Sequence, residues 1–276
     1  MLKRMIFIKM VILAMMGLGI SSAHAVYVVG GPTAGLQTAN GSYAWDGGSH
    51  LIAFRDALED PANFGPAGTV NETIDTVNVD LSVPNSLDGL DGFISPWWAV
   101  SESAAYEQQV VDFFLAGGDL WLLQDSAGRD GIGALLGVPT VGQTAITPVS
   151  GGAPLFDGPF GVAGNVTQGG GEEGFLSTVD VANMFGTVAA TNTEDQVIAA
   201  IWAPGQYAAG AGSLIIVADI DMFTTQATFN PLDDNGIFTL NAFAFLATST
   251  DVSEPAPFAI LGLGLIGLAL YRRRRS

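Results

Sequence analysis

The hydrophobic pattern of the chain alternates between short apolar runs and longer amphipathic segments. Val26 to Val29 and Leu120 to Leu123 are continuous apolar runs bounded by glycine or polar residues, which predicts buried strands. Residues 49–58 and 102–116 carry apolar residues at spacings of three and four, which predicts helices. Thr73 to Leu81 alternates apolar and polar positions, as a half-buried strand does. Strands and helices therefore take turns along this part of the chain.

The pattern changes after Gly137. Short segments rich in Gly, Thr, Ala and Val offer candidate strands at 140–149, 176–181 and 196–202. A core strand returns at Leu214 to Asp219, and residues 234–248 form an amphipathic closing helix. Parallel strands joined by a helix connect right-handedly, so we expect an α/β fold with a doubly wound, mostly parallel sheet and an antiparallel extension.

The N-terminus has the pattern of a secretory signal peptide. Lys3, Arg4 and Lys9 precede or enter an apolar stretch that runs to Ile20. Ala23-His24-Ala25 then supplies the small residues that signal peptidase requires around its cleavage site, Ala23 and Ala25. We therefore expect residues 1–25 to be removed and the mature chain to start at Val26.

The C-terminus combines three parts in order. Ser253-Glu254-Pro255 is followed by an uncharged run from Phe258 to Leu270 and then by Arg272, Arg273, Arg274 and Arg275. A helix of that run would reach about 20 Å, which is short for a membrane span. The arginine block would hold the C-terminus on the cytoplasmic side of the membrane.

This order of parts resembles the PEP-CTERM sorting signal, with Ser253-Glu254-Pro255 standing where the family usually has Pro-Glu-Pro. The resemblance implies that an exosortase-type membrane protease recognises the tail, that the hydrophobic sorting helix holds the chain in the membrane before processing, and that the protein is released to the cell surface or an exopolysaccharide matrix. An ordinary C-terminal membrane anchor is the alternative. Residues 249–276 are thus a linker and sorting tail.

The remaining body, residues 26–248, is strongly acidic. The chain has 27 acidic and 9 basic residues, but only Arg55 and Arg129 among the basic ones lie outside the two terminal segments. Such a surface repels nucleic acid, because neither partner can release the other's counterions. The chain has no cysteine, so disulfides, thiolate metal sites and a cysteine nucleophile are excluded.

Three segments of the body share a second resemblance. The strand Gly117 to Leu123, the phrase Pro154 to Gly161, and Ile216 to Phe223 before the last helix look like the class I glutamine-amidotransferase-like fold, a flavodoxin-like architecture. The similarity is closer to the non-catalytic relatives of this family. It implies one α/β domain over residues 26–248 that lacks the catalytic residues.

A serine hydrolase is the alternative that this fold raises. Gln124-Asp125-Ser126-Ala127-Gly128 places Ser126 where the fold presents a nucleophile, but Gln124 replaces the leading glycine of the G-x-S-x-G elbow. After signal removal His50 is the one histidine left to act as a base, and it lies near the first helix. We expect no enzymatic activity and interpret Ser126 as a helix N-cap or loop residue.

Carboxylates at strand ends suggest a cation site. Asp219 and Asp221 follow one predicted strand, and Asp125 and Asp130 follow another. Because parallel strands end at one edge, the four could supply oxygen ligands for Ca²⁺. A helix-capping role is expected instead for the acidic pair at 233 and 234, which precedes the closing helix.

Trp97 and Trp98 follow the strand that ends near Ser95. Adjacent tryptophans in a loop could stack on a sugar ring, although such residues also pack against neighbouring loops. We expect an exported, non-enzymatic protein of the surface or exopolysaccharide matrix with no required cofactor. A polysaccharide- or calcium-binding module is the alternative.

Overall fold

The computed structural model describes residues 26–33, 41–96, 103–126, 128–144, 147–169, 173–224 and 229–249. The strands are β1 Val26–Pro32, β2 Thr73–Val79, β3 Gly92–Pro96, β4 Asp119–Leu123, β5 Thr140–Thr144, β6 Pro148–Gly151, β7 Asp157–Gly158, β8 Gly161–Val162, β9 Val166–Thr167, β10 Glu173–Leu176, β11 Thr187–Asn192, β12 Val197–Trp202 and β13 Leu214–Val217. The helices are a 3-10 turn at Gly41–Tyr43, then α1 Ile52–Glu59, α2 Ala104–Leu115, α3 Gly131–Leu135, α4 Thr178–Asn183, α5 Asp221–Thr224 and α6 Asp234–Ser249.

The terminal segments predicted to direct sorting, residues 1–25 and 250–276, lie outside the described residues. Within the described ranges, no helix combines the length and the hydropathy needed to cross a membrane.

Five strands form the parallel part of one large sheet. Their order across the sheet is β2-β1-β3-β4-β13, and each neighbouring pair runs parallel. Numbered along the chain within this part, the order is 2-1-3-4-5, which is the flavodoxin-like arrangement. The predicted α/β architecture is therefore present, with the apolar runs at β1, β4 and β13 as neighbouring or near-neighbouring strands.

The antiparallel extension is larger than the parallel part. β12 pairs antiparallel with β13 and leads to β11, β6 and β9, while β10 pairs with both β12 and β5. The extension thus contributes six strands to an 11-stranded sheet. β7 and β8 form a separate two-stranded hairpin.

Helices cover both faces of the sheet. Leu120 and Leu122 of β4 pack in one core with residues of α2, α3 and α4, whereas Trp121 and Leu123 pack in the other with residues of α1 and α6. Successive side chains of a strand point to opposite faces, so a strand between two helical layers needs apolar residues at every position. This is why β4 and β13 are continuous apolar runs in the sequence.

The prediction of a strand at 176–181 was largely wrong. β10 ends at Leu176, and α4 begins at Thr178. Ser177 is the N-cap of α4, because its hydroxyl accepts a hydrogen bond from the backbone N–H of Asp180 at 3.2 Å. A cap of this kind stabilises the first turn of a helix and here outweighs the strand-like alternation. The candidate strand at 140–149 proves to be two strands, β5 and β6.

Candidate functional site

The carboxyl ends of the parallel strands form the edge at which open α/β sheets bind ligands. The strand order reverses between β1 and β3, because the chain passes from β1 to β2 on one side and continues with β3 on the other. The residues after these two strands, 34–40 and 97–102, lie outside the described residues. They include Trp97 and Trp98, so the saccharide site stays a prediction.

The loop after β4 contains Ser126, the serine considered as a nucleophile. The backbone N–H of Gln124 donates to the carbonyl of Val217 at 2.8 Å and extends the pairing of β4 with β13 by one residue. Ser126 lies two residues further on and is only 6% exposed. Because α3 begins at Gly131, Ser126 is a loop residue and does not cap a helix.

The extension crosses the same edge and covers it. The backbone N–H of Gly169 donates to Asp219 Oδ2 at 3.0 Å, and that of Gly174 donates to the carbonyl of Ala218 at 3.2 Å. Gly174 also lies so close to the loop after β4 that a Cβ there would be 2.7 Å from the carbonyl oxygen of Asp125. The carboxyl ends of β4 and β13 are therefore buried beneath the extension, which restricts the approach of a substrate to Ser126.

His50, the base considered for a hydrolase, lies just before α1. Its ring is stacked on that of Tyr43, with centroids 4.6 Å apart and planes 12° apart. The Tyr43 hydroxyl in turn donates to Asp221 Oδ1 at 2.6 Å. His50, Tyr43 and Asp221 thus connect the segment before α1 to the loop after β13, across the carboxyl edge of the sheet.

The four aspartates predicted as cation ligands each hold part of the local structure. Asp125 Oδ2 accepts from Arg129 Nη1 at 2.6 Å. Asp130 accepts the backbone N–H of Gly128 at 3.0 Å and that of Thr140 at 2.7 Å.

The pair after β13 does the same. Asp219 is fully buried, and its Oδ1 accepts the backbone N–H of Asp221 at 2.7 Å. Asp221 takes the hydrogen bond from Tyr43 described above.

A metal ion requires at least three such side chains to converge on one point. In the part of the chain that the structure describes, no group of three or more His, Asp or Glu side chains is placed to hold one. The calcium site considered at Asp125, Asp130, Asp219 and Asp221 therefore has no assembled set of carboxylate ligands among these residues.

The acidic pair before α6 has the capping role that the sequence predicts. Asp233 Oδ1 accepts the backbone N–H of Gly236 at 2.7 Å, which is the bond of an N-cap. Asp234 instead accepts from the backbone N–H groups of Gly164 and Asn165 and from the Asn165 amide. These hydrogen bonds, that from Asn165 first, lower the pKa of Asp234.

A buried ionisable network that the sequence reasoning missed lies at the opposite, amino-terminal edge of the parallel strands. Asp119 opens β4 and is fully buried. Its Oδ1 accepts the backbone N–H of Ser213 at 2.7 Å, and its Oδ2 accepts the hydroxyl of Tyr27 at 3.0 Å. Asp119 thereby connects β4 to β1 and to the residue before β13.

Burial dominates the electrostatics of this network. Desolvation raises the pKa of Asp119 to about 6, and the hydrogen bonds from Ser213 and Tyr27 offset only part of that effect. Burial also raises the pKa of Tyr27, and the charge of Asp119 adds to the rise. An aspartate placed directly before a fully apolar strand was the signal in the sequence that could have indicated this group.

Comparison with known families identifies the tail. The PEP-CTERM protein-sorting motif matches residues 251–275. This match confirms the sorting tail predicted from Ser253-Glu254-Pro255 and the arginine block, and it indicates export and sorting to the cell surface by exosortase. The match covers the tail alone and leaves the family of the body open. Comparison with curated proteins finds no match.

Solved structures show that the fold of the body is shared. The mmIFT52 N-terminal domain superposes with a TM-score of 0.56 at 12% identity, over 82% of this chain and 99% of that domain. The exo-beta-1,4-mannosidase Op5Man5 from Opitutaceae bacterium strain TAV5 superposes with a TM-score of 0.51 at 12% identity, over 80% of this chain and 36% of the mannosidase. Cytoplasmic protein STM3548 from Salmonella typhimurium gives a TM-score of 0.50 at 10% identity, over 80% of this chain and 99% of that one.

Identities this low show a common fold and nothing about activity. The chain also spans only about a third of the mannosidase that it matches.

Proposed function

We propose that this chain is an exported, non-enzymatic protein of the cell surface or exopolysaccharide matrix, which signal peptidase and an exosortase-type protease process at its two ends. The observation that carries the proposal is the PEP-CTERM motif at residues 251–275. The signal-peptide pattern around Ala23 and Ala25 supports it, because both segments would place the body on the outer side of the inner membrane.

The geometry at the carboxyl edge supports a body without hydrolase activity. A serine nucleophile must reach both its substrate and a base. Ser126 is 6% exposed beneath the extension, and the ring of His50 packs flat against Tyr43. If Ser126 were nevertheless a nucleophile, a fluorophosphonate probe would label the native protein and would not label a Ser126→Ala variant.

The charge of the body suits a hydrated matrix. Its two arginines are engaged within the fold, since Arg129 pairs with Asp125, and Arg55 donates to Thr76 and lies over the Trp45 ring at 5.4 Å. The acidic surface therefore carries repulsion between copies of the body, which favours solubility, and it disfavours nucleic acid as a partner.

The relationship of the body to the glutamine-amidotransferase-like family stays part of this proposal. Its support is the 2-1-3-4-5 order of the parallel strands, which that family shares with other flavodoxin-like folds. Binding of polysaccharide or Ca²⁺ remains the alternative role of the body. Calorimetric titration with soluble exopolysaccharide and with CaCl₂, giving no heat and no rise in melting temperature, would leave the structural role.

The sorting proposal is tested by the intact mass and the cell fraction of the protein in its native host. The unmodified chain should yield a species lacking residues 1–25 and the C-terminal tail, outside the inner membrane. Deletion of Arg272 to Arg275 should leave the tail on the protein. Replacement of the four arginines by lysine is the matched control, because it keeps the positive charge that orients the tail.

An unmodified chain that keeps its tail and stays with the inner membrane would contradict the proposal. The tail would then be an anchor.

A further inference from the structure

The side chain of Gln124 is buried with half of its amide in use. Its Oε1 accepts the hydroxyl of Thr140 at 2.6 Å. Its Nε2 is buried and has no hydrogen-bond partner among the described residues, while the whole residue is only 3% exposed. A buried donor without an acceptor costs about 1–3 kcal/mol, so such a group in a native protein calls for a partner.

The unpaired amide borders a small cavity. The cavity has a volume of about 10 Å³, and its wall includes Ser95 at the end of β3, Gln124 after β4, and Arg129, Asp130 and Gly133 around the start of α3. Gly133 makes room for the amide, because a Cβ at that position would lie 1.7 Å from Gln124 Nε2. The wall is therefore polar on several sides and narrow enough for a single small molecule.

We propose that this cavity binds one ordered water molecule, which accepts a hydrogen bond from Gln124 Nε2. A volume of about 10–15 Å³ with two to four polar partners is what an internal water requires. The water donates to the carboxylate of Asp130, whose oxygens each accept one backbone N–H, from Gly128 and Thr140, and keep a further lone pair. The Ser95 hydroxyl supplies the third contact.

The position of the site gives this water a structural task. Ser95 and Gln124 end two parallel strands, Asp130 precedes α3, and Thr140 begins β5 of the antiparallel extension. The water completes a network that joins these elements, at the point where the parallel sheet meets the extension. This role is independent of the sorting function proposed above.

The test is a crystal structure of the full-length chain, purified in detergent, at a resolution that shows ordered waters. We expect density for one water within about 3.2 Å of Gln124 Nε2. Gln124→Met keeps the length of the side chain and removes the amide, so it should lose that density. Thr140→Val is the matched control, because it removes the hydroxyl and leaves Nε2 and the cavity in place.

A solution measurement keeps the proposal testable if a variant does not fold. In the ¹⁵N-labelled wild-type chain, the side-chain amide protons of Gln124 should show a rotating-frame Overhauser effect to a long-lived water. Absence of both the density and this effect would overturn the proposal. Density whose contacts require the amide to be reversed, with Nε2 on Thr140, would overturn it as well.

Discussion

Replacement of Asp119 by asparagine should remove a pH dependence of stability that the buried network creates. Asparagine has the same shape, and its Oδ1 can still accept the backbone N–H of Ser213. Its amide can donate to the Tyr27 hydroxyl, which in the native protein donates to Asp119. The substitution therefore changes the charge and leaves the packing of β1 against β4 in place.

The magnitude follows from the pKa of Asp119, which rises from 3.8 to about 6 on folding. The folded state then binds the proton more tightly than the unfolded state, so this group stabilises the fold most below pH 3.8 and loses that contribution as the pH rises through 6. At about 1.4 kcal/mol per pKa unit, the rise corresponds to about 3 kcal/mol. The stability of Asp119→Asn relative to wild type should therefore increase by about 3 kcal/mol between pH 4 and pH 7.

Urea unfolding followed by far-UV circular dichroism, at half-unit intervals of pH, measures this difference. Using the difference between variant and wild type cancels the titration of the other acidic groups. Asp88→Asn is the matched control, because it removes the same charge from an exposed position near β3. A difference curve for Asp119→Asn that is flat from pH 4 to pH 7 would refute the reasoning.

Three further substitutions test the packing around this framework, each by its urea unfolding midpoint. Asn241→Ala should destabilise the protein by about 3 kcal/mol, because the buried amide bonds the backbone of the β7–β8 hairpin at three points, and a loss below about 1 kcal/mol would contradict this. Asp233→Ala should cost about 1 kcal/mol through loss of the N-cap of α6, whereas Asp233→Asn should retain most of the stability and fails the prediction if it behaves like alanine. Gly133→Ala should be strongly destabilising because its methyl would overlap the amide of Gln124, whereas Gly152→Ala should be nearly neutral because it faces open space, and equal effects would count against the packing described.

Parts of the fold were predictable because they depend on local sequence. The apolar run Leu120 to Leu123 fits only a strand covered on both faces, and the structure places it between two helical layers. The closing helix was visible from its spacing and from Asp233 before it. Glycines at 117 and 118 end α2 as expected, with Gly117 at a φ of +111°.

The segment from 138 to 212 was less predictable. Its strands are two to six residues long, and short apolar segments do not distinguish strand from helix. Ser177 shows the consequence, since one capping hydroxyl turned a predicted strand into α4. The extent of the extension also depends on pairings between residues far apart in sequence, such as β10 with β5.

The sequence by itself determined the sorting tail, because a protease and a membrane read such a signal as a linear order of motif, apolar run and charge. It also determined which strands are buried, because burial on two faces requires apolar residues at every position. Only the tertiary structure decided that Ser126 lies beneath the extension, that the four strand-end aspartates hold backbone turns, and that Asp119 is buried beside Tyr27. These outcomes depend on long-range contacts, where the environment of a polar side chain is set by elements that the local sequence does not specify.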